Sequence, residues 1–433
     1  MSLPIYAEQT LVAAVADDAL PSLTYAQAWR DDRSAYPVSL SMPLAMETWP
    51  PETLLPWLMN LLPEGEPLRA MTRALGVAQE DILGLLAETG QDLAGALRLG
   101  RPRPEAEAGF TPIPDPAALE RIIEELPARP FLAGEEGVSM SLAGAQDKLP
   151  LRLRGDQLGV PTGGAASTHI LKPDNPRLPG SVQNEALCMV LARLCGLETA
   201  SITTGRAGQR HYLLVSRFDR YAADHRLLRL HQEDFCHALG LPPGAKYQHN
   251  GLGVPGPSLP DMFALAREHM TARDITRLLD AVIFNIAIGN VDSHAKNYSI
   301  LLRPAGPELA PLYDLMTGLA WTNITQNHAQ DIDTQRRGRH IYGRHWRRMA
   351  EQCGLAPPAA TRRVEAICER ILRHLPTAAA VVAEMPAGGE HLDLFVTAIA
   401  ERTRLVGEHA QTNGPDEPAV APEVVDGASA YAQ

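Results

Sequence analysis

The chain of 433 residues has few cysteines and no long apolar run, and each shortage excludes a class of protein. Its five cysteines stand far apart without a CxxC pair, which argues against a disulfide framework and a zinc knuckle. No stretch reaches the roughly 18 apolar residues that a membrane-spanning helix needs. The start, MSLPIYAEQT, lacks the basic and apolar regions of a signal peptide. We therefore expect a cytoplasmic protein with no membrane partner.

Aromatic and basic residues are also scarce. Aromatic residues make up 5% of the chain, so the core should consist mainly of Leu, Ala, Val and Ile. The 39 Lys and Arg residues face 51 Asp and Glu residues, which gives a formal net charge of −12. Such a protein is not expected to bind nucleic acid over its whole surface, although a local basic patch could.

Composition changes along the chain and predicts an α+β protein of five segments. Residues 1–101 are expected to form a small N-terminal subdomain, in which 13 acidic residues face 5 basic ones before residue 100. We read this charge as a partner-facing surface. Five prolines mark residues 102–116 as a linker. Short apolar runs between Gly and Pro predict a β-rich lobe over 117–228. Residues 229–410 should be helical, and the Pro-, Ala- and acid-rich residues 411–433 a disordered tail.

The strongest chemical signal is a polar turn between an apolar helix and an apolar strand. In FNIAIGNVDSHAKNYSILL (284–302), Asp292 and Asn297 have the D-x-x-x-x-N spacing of a protein-kinase catalytic loop. In that chemistry a carboxylate accepts the proton of the attacking hydroxyl, and an amide oxygen holds magnesium at the phosphates. Lys296 could neutralise charge on the transferred phosphoryl group. The same spacing also occurs in polar turns that merely cap a hairpin.

Three further features follow the order of a kinase. Asp314 comes after an apolar run, LAPLYDL, as a second magnesium-holding carboxylate should. Lys172 ends another run, THILKP, and parallels the strand lysine of kinases, with Glu185 on the next helix as its partner. The turn in SLAGAQDKLPL (141–151) could bring backbone amides close to phosphates. A solvated lysine and an ordinary hairpin are the alternatives, but the shared order favours a kinase.

These motifs resemble the serial motifs of HipA-type serine/threonine kinases, the toxins of HipBA toxin–antitoxin modules. The resemblance extends to about residue 410 and includes YPVSLSMPL, LLPEG, ETGQDLAGAL, SLAGAQDK, THILKP, NEALCMVLARLCGL, SRFDR and HQEDFCHALGL. It implies a two-lobed protein-kinase-like fold with a small N-terminal subdomain, a β-rich nucleotide lobe and an all-helical C-terminal lobe. It also implies ATP and Mg²⁺ as cofactors.

The family pattern implies a role for each matching residue. Asp292 resembles the catalytic base, Asn297 and Asp314 the magnesium ligands, and Ser141 the serine whose autophosphorylation silences the kinase. The implied ATP contacts are Ala143, Gly144, Ala145, Gln146, Asp147 and Lys148 in the loop, Lys172 at the phosphates, Ser216, Arg217 and Phe218 at the adenine, and His294, Ala295, Lys296, Asn297, Tyr313 and Asp314. Asp147 departs from the glutamate of better-known members, and residues 324–350 depart most.

The resemblance also implies partners: a helix-turn-helix antitoxin of the HipB type, operator DNA bound through the antitoxin complex, and a protein substrate in translation such as an aminoacyl-tRNA synthetase. Arg336, Arg337 and Arg339 begin a run of six arginines that could contact DNA phosphates, or could form a solvated helix face. Two other functions are open. The chain could be a catalytically silent module that only supports antitoxin–DNA repression, or a metal-dependent hydrolase built on Asp292, His294 and Asp314.

Overall fold

The computed structural model describes residues 2–17, 20–102, 108–223 and 226–415, which form two compact units of mixed α and β structure. Unit 1 contains the described residues of Met1–Pro173, Arg206–Pro243 and Ile300–Ala310. Unit 2 contains those of Asp174–Gly205, Gly244–Ser299 and Pro311–Gln433. The predicted divisions at 101 and 228 do not coincide with the boundary of unit 1. Most of the predicted tail, residues 416–433, lies outside the described residues.

The described ranges contain strands and helices in an irregular alternation. The helices are α1 (Gln27–Arg30), α2 (Pro51–Asn60), α3 (Gly65–Leu75), α4 (Ile82–Thr89), α5 (Pro116–Glu125), α6 (Ser181–Leu194), α7 (Phe235–Ala238), α8 (Leu259–His269), α9 (Ala272–Ile288), α10 (Gly343–Gln352), α11 (Pro357–Ala383) and α12 (Leu392–Ala410). The strands are β1 (Ser2–Ala7), β2 (Thr10–Ala16), β3 (Ser22–Tyr25), β4 (Thr48–Trp49), β5 (Leu97–Leu99), β6 (Gly109–Pro112), β7 (Leu149–Arg154), β8 (Gln157–Thr162), β9 (His169–Pro173), β10 (Ile202–Ala207), β11 (Arg210–Ser216), β12 (Arg220–Ala223), β13 (Arg226–Arg229), β14 (His231–Asp234), β15 (Ser299–Arg303), β16 (Gly306–Leu309), β17 (Asn327–Ile332) and β18 (Gln335–Arg337). None of these helices is both long and apolar enough to cross a membrane.

Two antiparallel sheets dominate unit 1. The first has the strand order β4–β3–β2–β1–β5, and the second has the order β10–β11–β9–β7–β8–β6. In β1 the buried residues Leu3, Ile5 and Ala7 alternate with more exposed ones, because successive side chains of a strand point to opposite faces. One hydrophobic core includes Ile5 and Val15 from the first sheet and Leu171 from the second. The first hundred residues therefore do not pack as a separate body.

The predicted linker is partly ordered. Strand β6 lies within 102–116 and pairs with β8, with Phe110 opposite Pro161, so the expectation of an irregular segment was wrong there. Proline is tolerated in β6 because this strand is at the edge of its sheet and Pro112 is its last residue. Helix α5 follows directly, and it begins after Asp115, whose carboxylate accepts a hydrogen bond from Ala118 N at 2.7 Å as an N-cap residue does.

Helices form most of unit 2. Helix α9 is buried on nearly every face, as its apolar sequence predicts, and it ends at Gly289 with φ +72°. It packs with α12 against α11, whose buried residues include Val364, Ile371 and Leu375. The expectation of an all-helical lobe was wrong, because β17 and β18 form an antiparallel hairpin in this unit. Their polar, arginine-containing sequence gave no apolar alternation from which strands could be predicted.

Candidate active site

The turn after α9 is held rigid by asparagine side chains. Asn290 donates to Asn285 Oδ1 at 2.9 Å, and its own Oδ1 accepts from Asp292 N at 3.2 Å. Asn297 Nδ2 donates to the carbonyl oxygen of Asp292 at 2.8 Å, which closes the turn. Asp292 is only 6% exposed. The turn thus fixes the positions of both Asp292 and Asn297, the pair singled out by its spacing.

Tyr313 ties the second acidic residue to the same turn. Its hydroxyl donates to the carbonyl oxygen of Lys296 at 2.7 Å and lies 2.7 Å from Ser299 Oγ. The next residue, Asp314, has φ +58°, a left-handed conformation that is uncommon for a residue with a side chain and often occurs at functional sites. Unit 2 therefore brings the predicted residues 292–297 and 313–314 together.

His294 lies among charged neighbours but is itself held neutral. Burial lowers its pKa well below the ordinary value, nearby Lys246 and Lys296 lower it further, and Asp314 opposes them. The electrostatic effect of Asp314 on this ring shows that the acid is close to it. A neutral His294 can donate or accept a hydrogen bond but adds no charge to the site.

Sequence reasoning missed Tyr247. Its hydroxyl donates to Asp292 Oδ1, and its ring meets the His294 ring edge-on, with centroids 5.1 Å apart. The preceding residue, Lys246, accepts a hydrogen bond from Ala295 N at 3.2 Å. Both residues lie in the Pro- and Gly-rich stretch 242–260, where the sequence shows only a loop. No local pattern reports a contact with a residue 45 positions away.

Asn297 and Asp314 are suited to a magnesium ion. The hydrogen bond made by Asn297 Nδ2 directs its Oδ1 away from the Asp292 carbonyl, and Asp314 supplies a carboxylate. Mg²⁺ prefers such oxygen ligands and typically completes its shell with water and phosphate oxygens. Within the described ranges, no three or more His, Cys, Asp and Glu side chains form a metal site by themselves. The hydrolase hypothesis required such a nucleotide-independent site on Asp292, His294 and Asp314, and the described residues give it no support.

The predicted nucleotide loop belongs to unit 1. Gly144 has φ +106°, and a Cβ at this position would lie 2.9 Å from Lys148 Nζ, so the turn requires glycine. Lys148 Nζ donates to the Ala143 carbonyl at 3.1 Å. Glu64 N donates to the Gly144 carbonyl at 3.1 Å, which attaches the loop to the LLPEG motif. Burial raises the pKa of Asp147, although Lys148 and Arg210 oppose this effect.

Ser141 is fully buried at the start of this loop. Its Oγ donates to the Leu61 carbonyl at 3.0 Å, and its backbone N–H donates to the Asp92 carbonyl at 3.3 Å. A kinase acting on Ser141 would need to extract the hydroxyl from this environment first. Sequence reasoning placed Ser141 beside the loop but did not predict its burial against the first hundred residues.

The other predicted nucleotide residues of unit 1 lie on adjacent strands. Lys172 is on β9 opposite Leu213 of β11 and is buried. Ser216 ends β11, with its Oγ 3.1 Å from His169 Nε2. Arg217 N donates to the Thr168 carbonyl at 2.9 Å. The segment 216–218 thus leaves the sheet beside the strand that carries Lys172.

The Arg217 side chain forms ion pairs within unit 1. It belongs to a buried cluster, here called the arginine cluster, formed by Asp92, Arg217, Asp219, Arg220 and Arg229. Arg217 lies 2.7 Å from Asp219 Oδ2, and Arg220 lies 2.9 Å from a carboxylate oxygen of each aspartate. Burial alone would raise the pKa of Asp92, but Arg220, Arg217 and Arg229 hold it below its ordinary value. The Arg217 guanidinium therefore serves this cluster.

The six arginines near residue 340 do not share one helix face, so the alternative of a single solvated helix face does not hold. Arg336 and Arg337 lie on β18, and Arg339 is exposed in a short 3₁₀ turn after it. On α10, Arg344 donates to the carbonyl oxygens of Asn413 and Pro415, and Arg348 lies 3.3 Å from Asp333. Asn413 and Pro415, which lie within the predicted tail of 411–433, are therefore held by α10.

Comparisons with known proteins agree with this pattern. The HipA N-terminal domain model matches residues 3–100, and the HipA-like C-terminal domain model matches residues 140–378. The putative kinase Y4mE of Sinorhizobium fredii is 38% identical over 391 residues, which cover 88% of this chain and 92% of that protein. The serine/threonine-protein kinase toxin HipA of Shewanella oneidensis is 32% identical over 333 residues, covering 73% and 75%.

A solved structure extends the agreement to the fold. The Shewanella oneidensis complex of HipA, HipB and operator DNA contains a chain that matches this one with a TM-score of 0.83 at 26% identity. The match covers 95% of this chain and 100% of that chain. With two family models and these relatives in accord, the chain belongs to the family of HipA-like serine/threonine-kinase toxins.

Proposed function

We propose that this chain is an ATP- and Mg²⁺-dependent serine/threonine protein kinase with a two-lobed kinase-like fold, acting as the toxin of a type II toxin–antitoxin module. The observation that carries the proposal is the rigid turn in which Asp292 is held by Tyr247 and closed by Asn297. Asp314 lies nearby in a strained conformation. A base, an amide ligand and a second carboxylate in this arrangement suit phosphoryl transfer from a nucleotide.

Each residue has a defined task in this reaction. Asp292 orients the acceptor serine hydroxyl and takes its proton as the hydroxyl attacks the γ-phosphorus. Asn297 and Asp314 would hold magnesium, which neutralises charge on the phosphate oxygens when bound. Lys296 adds positive charge on the same side of the turn. His294, Ala295 and Tyr313 complete the nucleotide contacts in unit 2.

The family pattern implies the remaining nucleotide contacts. Lys172 would pair with the α- and β-phosphates, Glu185 would fix its ammonium group, and Ala143, Gly144, Ala145, Gln146, Asp147 and Lys148 would cover the phosphates. Ser216, Arg217 and Phe218 contact the adenine. Since the Arg217 guanidinium is engaged in the arginine cluster, its adenine contact would come from the backbone.

Autophosphorylation of Ser141 would switch the kinase off. A phosphoserine carries about −1.5 to −2 charges near neutral pH and three acceptor oxygens. Such a group does not fit the fully buried position where Ser141 Oγ now donates to the Leu61 carbonyl. The modified loop would leave this position and no longer cover the nucleotide phosphates.

We propose a HipB-like helix-turn-helix antitoxin as the partner, and operator DNA bound through their complex. The related Shewanella oneidensis assembly, which contains HipA, HipB and operator DNA, supports this. Arg336, Arg337 and the exposed Arg339 are the proposed DNA contacts. A cytoplasmic translation factor, such as an aminoacyl-tRNA synthetase, is the proposed substrate.

The purified chain and its Asp292→Ala variant test the kinase proposal. With Mg·ATP the wild-type chain should incorporate phosphate into Ser141 and into an added translation factor. Asp292→Ala should lose this transfer and keep most of its ATP affinity, because Asn297 and Asp314 hold the metal. Equal incorporation by both proteins would exclude the role of Asp292. If the wild-type chain binds neither ATP nor any other nucleotide phosphate donor but still binds the antitoxin, it is instead a silent binding module.

A further inference from the structure

Tyr247 contacts the candidate base directly although it lies outside every helix and strand. It stands between α7 and α8 and is 7% exposed. Its hydroxyl donates to Asp292 Oδ1, and its ring packs edge-on against His294 at 5.1 Å between centroids, with the planes 84° apart. Lys246 Nζ lies over the Tyr247 ring, 5.6 Å from its centroid. The hydroxyl is therefore held on a ring that cannot move freely.

The backbone around Tyr247 is anchored on both sides. The preceding carbonyl, that of Lys246, accepts from Ala295 N at 3.2 Å, which links it to the catalytic turn. The following residue, Gln248, donates its N–H to the Ala329 carbonyl at 3.0 Å, and its side chain exchanges hydrogen bonds with Asp331. Tyr247 is thus fixed between the turn and strand β17.

The loop that follows is packed tightly against this segment. Gly256 N donates to the Gln248 carbonyl at 3.2 Å. A Cβ on Gly256 would lie 1.9 Å from the Tyr247 carbonyl oxygen and 2.3 Å from that of Ala245, so only glycine fits. Asn250 closes the loop by donating to the carbonyl oxygens of Tyr247 and Val254 at 3.1 Å and 3.0 Å. A loop of this kind restrains a side chain more strongly than its lack of secondary structure suggests.

We propose that Tyr247 is a positioning residue for phosphoryl transfer, whose hydroxyl fixes the Asp292 carboxylate in the orientation that receives the acceptor serine. The inference rests on the proposed kinase function. A carboxylate rotates readily about its Cβ–Cγ bond, and a hydrogen bond from a neutral donor to one charged oxygen selects a single orientation. Catalytic bases are commonly oriented by such a third group, and small displacements of a base reduce the rate strongly.

Tyr247→Phe tests this role because it removes the hydroxyl and keeps the ring contact with His294. We expect kcat for serine phosphorylation to fall roughly 10- to 100-fold, the usual effect of losing a hydrogen bond to a charged group. KM for ATP and the thermal shift produced by Mg·ATP should stay within about twofold of wild type. A residue that merely stabilised the fold would not separate kcat from ATP affinity in this way.

Tyr25→Phe is the matched control. The Tyr25 hydroxyl is also buried, donates to the Met42 carbonyl at 2.6 Å and accepts from Val38 N at 2.9 Å in unit 1. This variant should lose some stability and keep its kcat. Gly256→Ala gives a second route, because the added methyl group must displace the Tyr247 backbone, and it should also lower kcat with little effect on KM for ATP.

The outcomes separate the two proposals. A wild-type chain without kinase activity refutes the proposed function and this inference with it. An active wild type with full kcat in Tyr247→Phe refutes the positioning role alone. If Tyr247→Phe loses kcat and ATP affinity in parallel, Tyr247 is a structural residue and the inference is overturned. If Tyr247→Phe does not fold, the same parallel losses in Gly256→Ala would overturn it.

Discussion

Glu233 on β14 should make unit 1 less stable as the pH rises from about 4.5 to about 8. It is 3% exposed, its Oε2 lies 2.5 Å from Ser39 Oγ, and its Oε1 accepts from Leu40 N at 2.8 Å. Burial raises the pKa of Glu233 to about 8, against the opposing effect of these two hydrogen bonds and with a smaller contribution from Asp234. The carboxyl group is therefore mostly protonated at neutral pH in the folded chain.

The sign of the effect follows from comparing the folded and unfolded chains. The unfolded carboxyl ionises near its ordinary pKa of 4.5, so the stabilising contribution is complete below that pH and is lost as the pH approaches 8. The loss is about 1.4 kcal/mol per pH unit. Burial lowers the pKa values of His231 and His328 to about 4 and about 3. These two residues therefore reduce the stability of the fold as the pH falls below 6.5, and they contribute little change above it. The window from pH 6.5 to 8 therefore isolates Glu233, with an expected loss of about 2 kcal/mol.

Glu233→Gln removes the ionisation and keeps the shape and both hydrogen bonds. Melting of the wild-type chain should shift down by roughly 4 to 8 °C between pH 6.5 and pH 8, as expected for a unit of this size. The melting temperature of Glu233→Gln should change much less over the same range. Parallel curves for the two proteins would refute the argument, because every other titrating group is common to both.

Three further predictions concern the proposed kinase. Lys172→Ala should weaken ATP binding more than tenfold by removing a charge from the phosphates, measured by titration with Mg·ATP, and an unchanged affinity would contradict its role. Phosphorylation at Ser141, mapped by mass spectrometry, should lower ATP affinity in the modified protein, and equal affinity before and after would contradict the silencing mechanism. Asp92→Asn should destabilise unit 1 by about 3–5 kcal/mol in denaturant unfolding, because it removes one of the two buried aspartates that balance Arg217, Arg220 and Arg229, whereas a loss below about 1 kcal/mol would contradict this view of the arginine cluster.

The shared core also changes one expectation drawn from charge. The acidic first hundred residues suggest that their deletion would reduce antitoxin binding more than ATP binding. However, Ile5 and Val15 pack in the same core as Leu171. Deletion should therefore unfold unit 1, and antitoxin contacts are better tested with substitutions of exposed acids.

Local signals made some elements predictable. Helix α5 begins where Asp115 caps it, and α9 ends where Gly289 adopts a positive φ. Both signals depend on a few neighbouring residues, so these two helix ends can be predicted from the sequence alone. Strand β6 was missed because its pairing with β8 is a contact between distant segments, and its prolines pointed to an irregular chain.

In the candidate site, too, local features could be predicted from the sequence and contacts between distant residues could not. The spacing of Asp292 and Asn297 identified the turn, since a rigid loop sets that spacing. The motif SRFDR located Arg217 but not the direction of its side chain, which is set by Asp219 and by the Leu93 carbonyl 124 positions away. Tyr247 had no motif at all, because only the folded chain brings its hydroxyl to Asp292.

The arginine cluster also sets an order of events during synthesis. Asp92 and its partner Arg220 are 128 positions apart in the chain. At 5–20 residues per second, about 6 to 26 s pass between the synthesis of the acid and that of the arginine. Until Arg217 is made, Asp92 has none of its three arginine partners, and the Asp92 carbonyl that receives Ser141 N lies on an incomplete scaffold. The arginine cluster beside the nucleotide loop therefore becomes complete only after Arg229 is made, and still before the catalytic turn at 292–297 is synthesised.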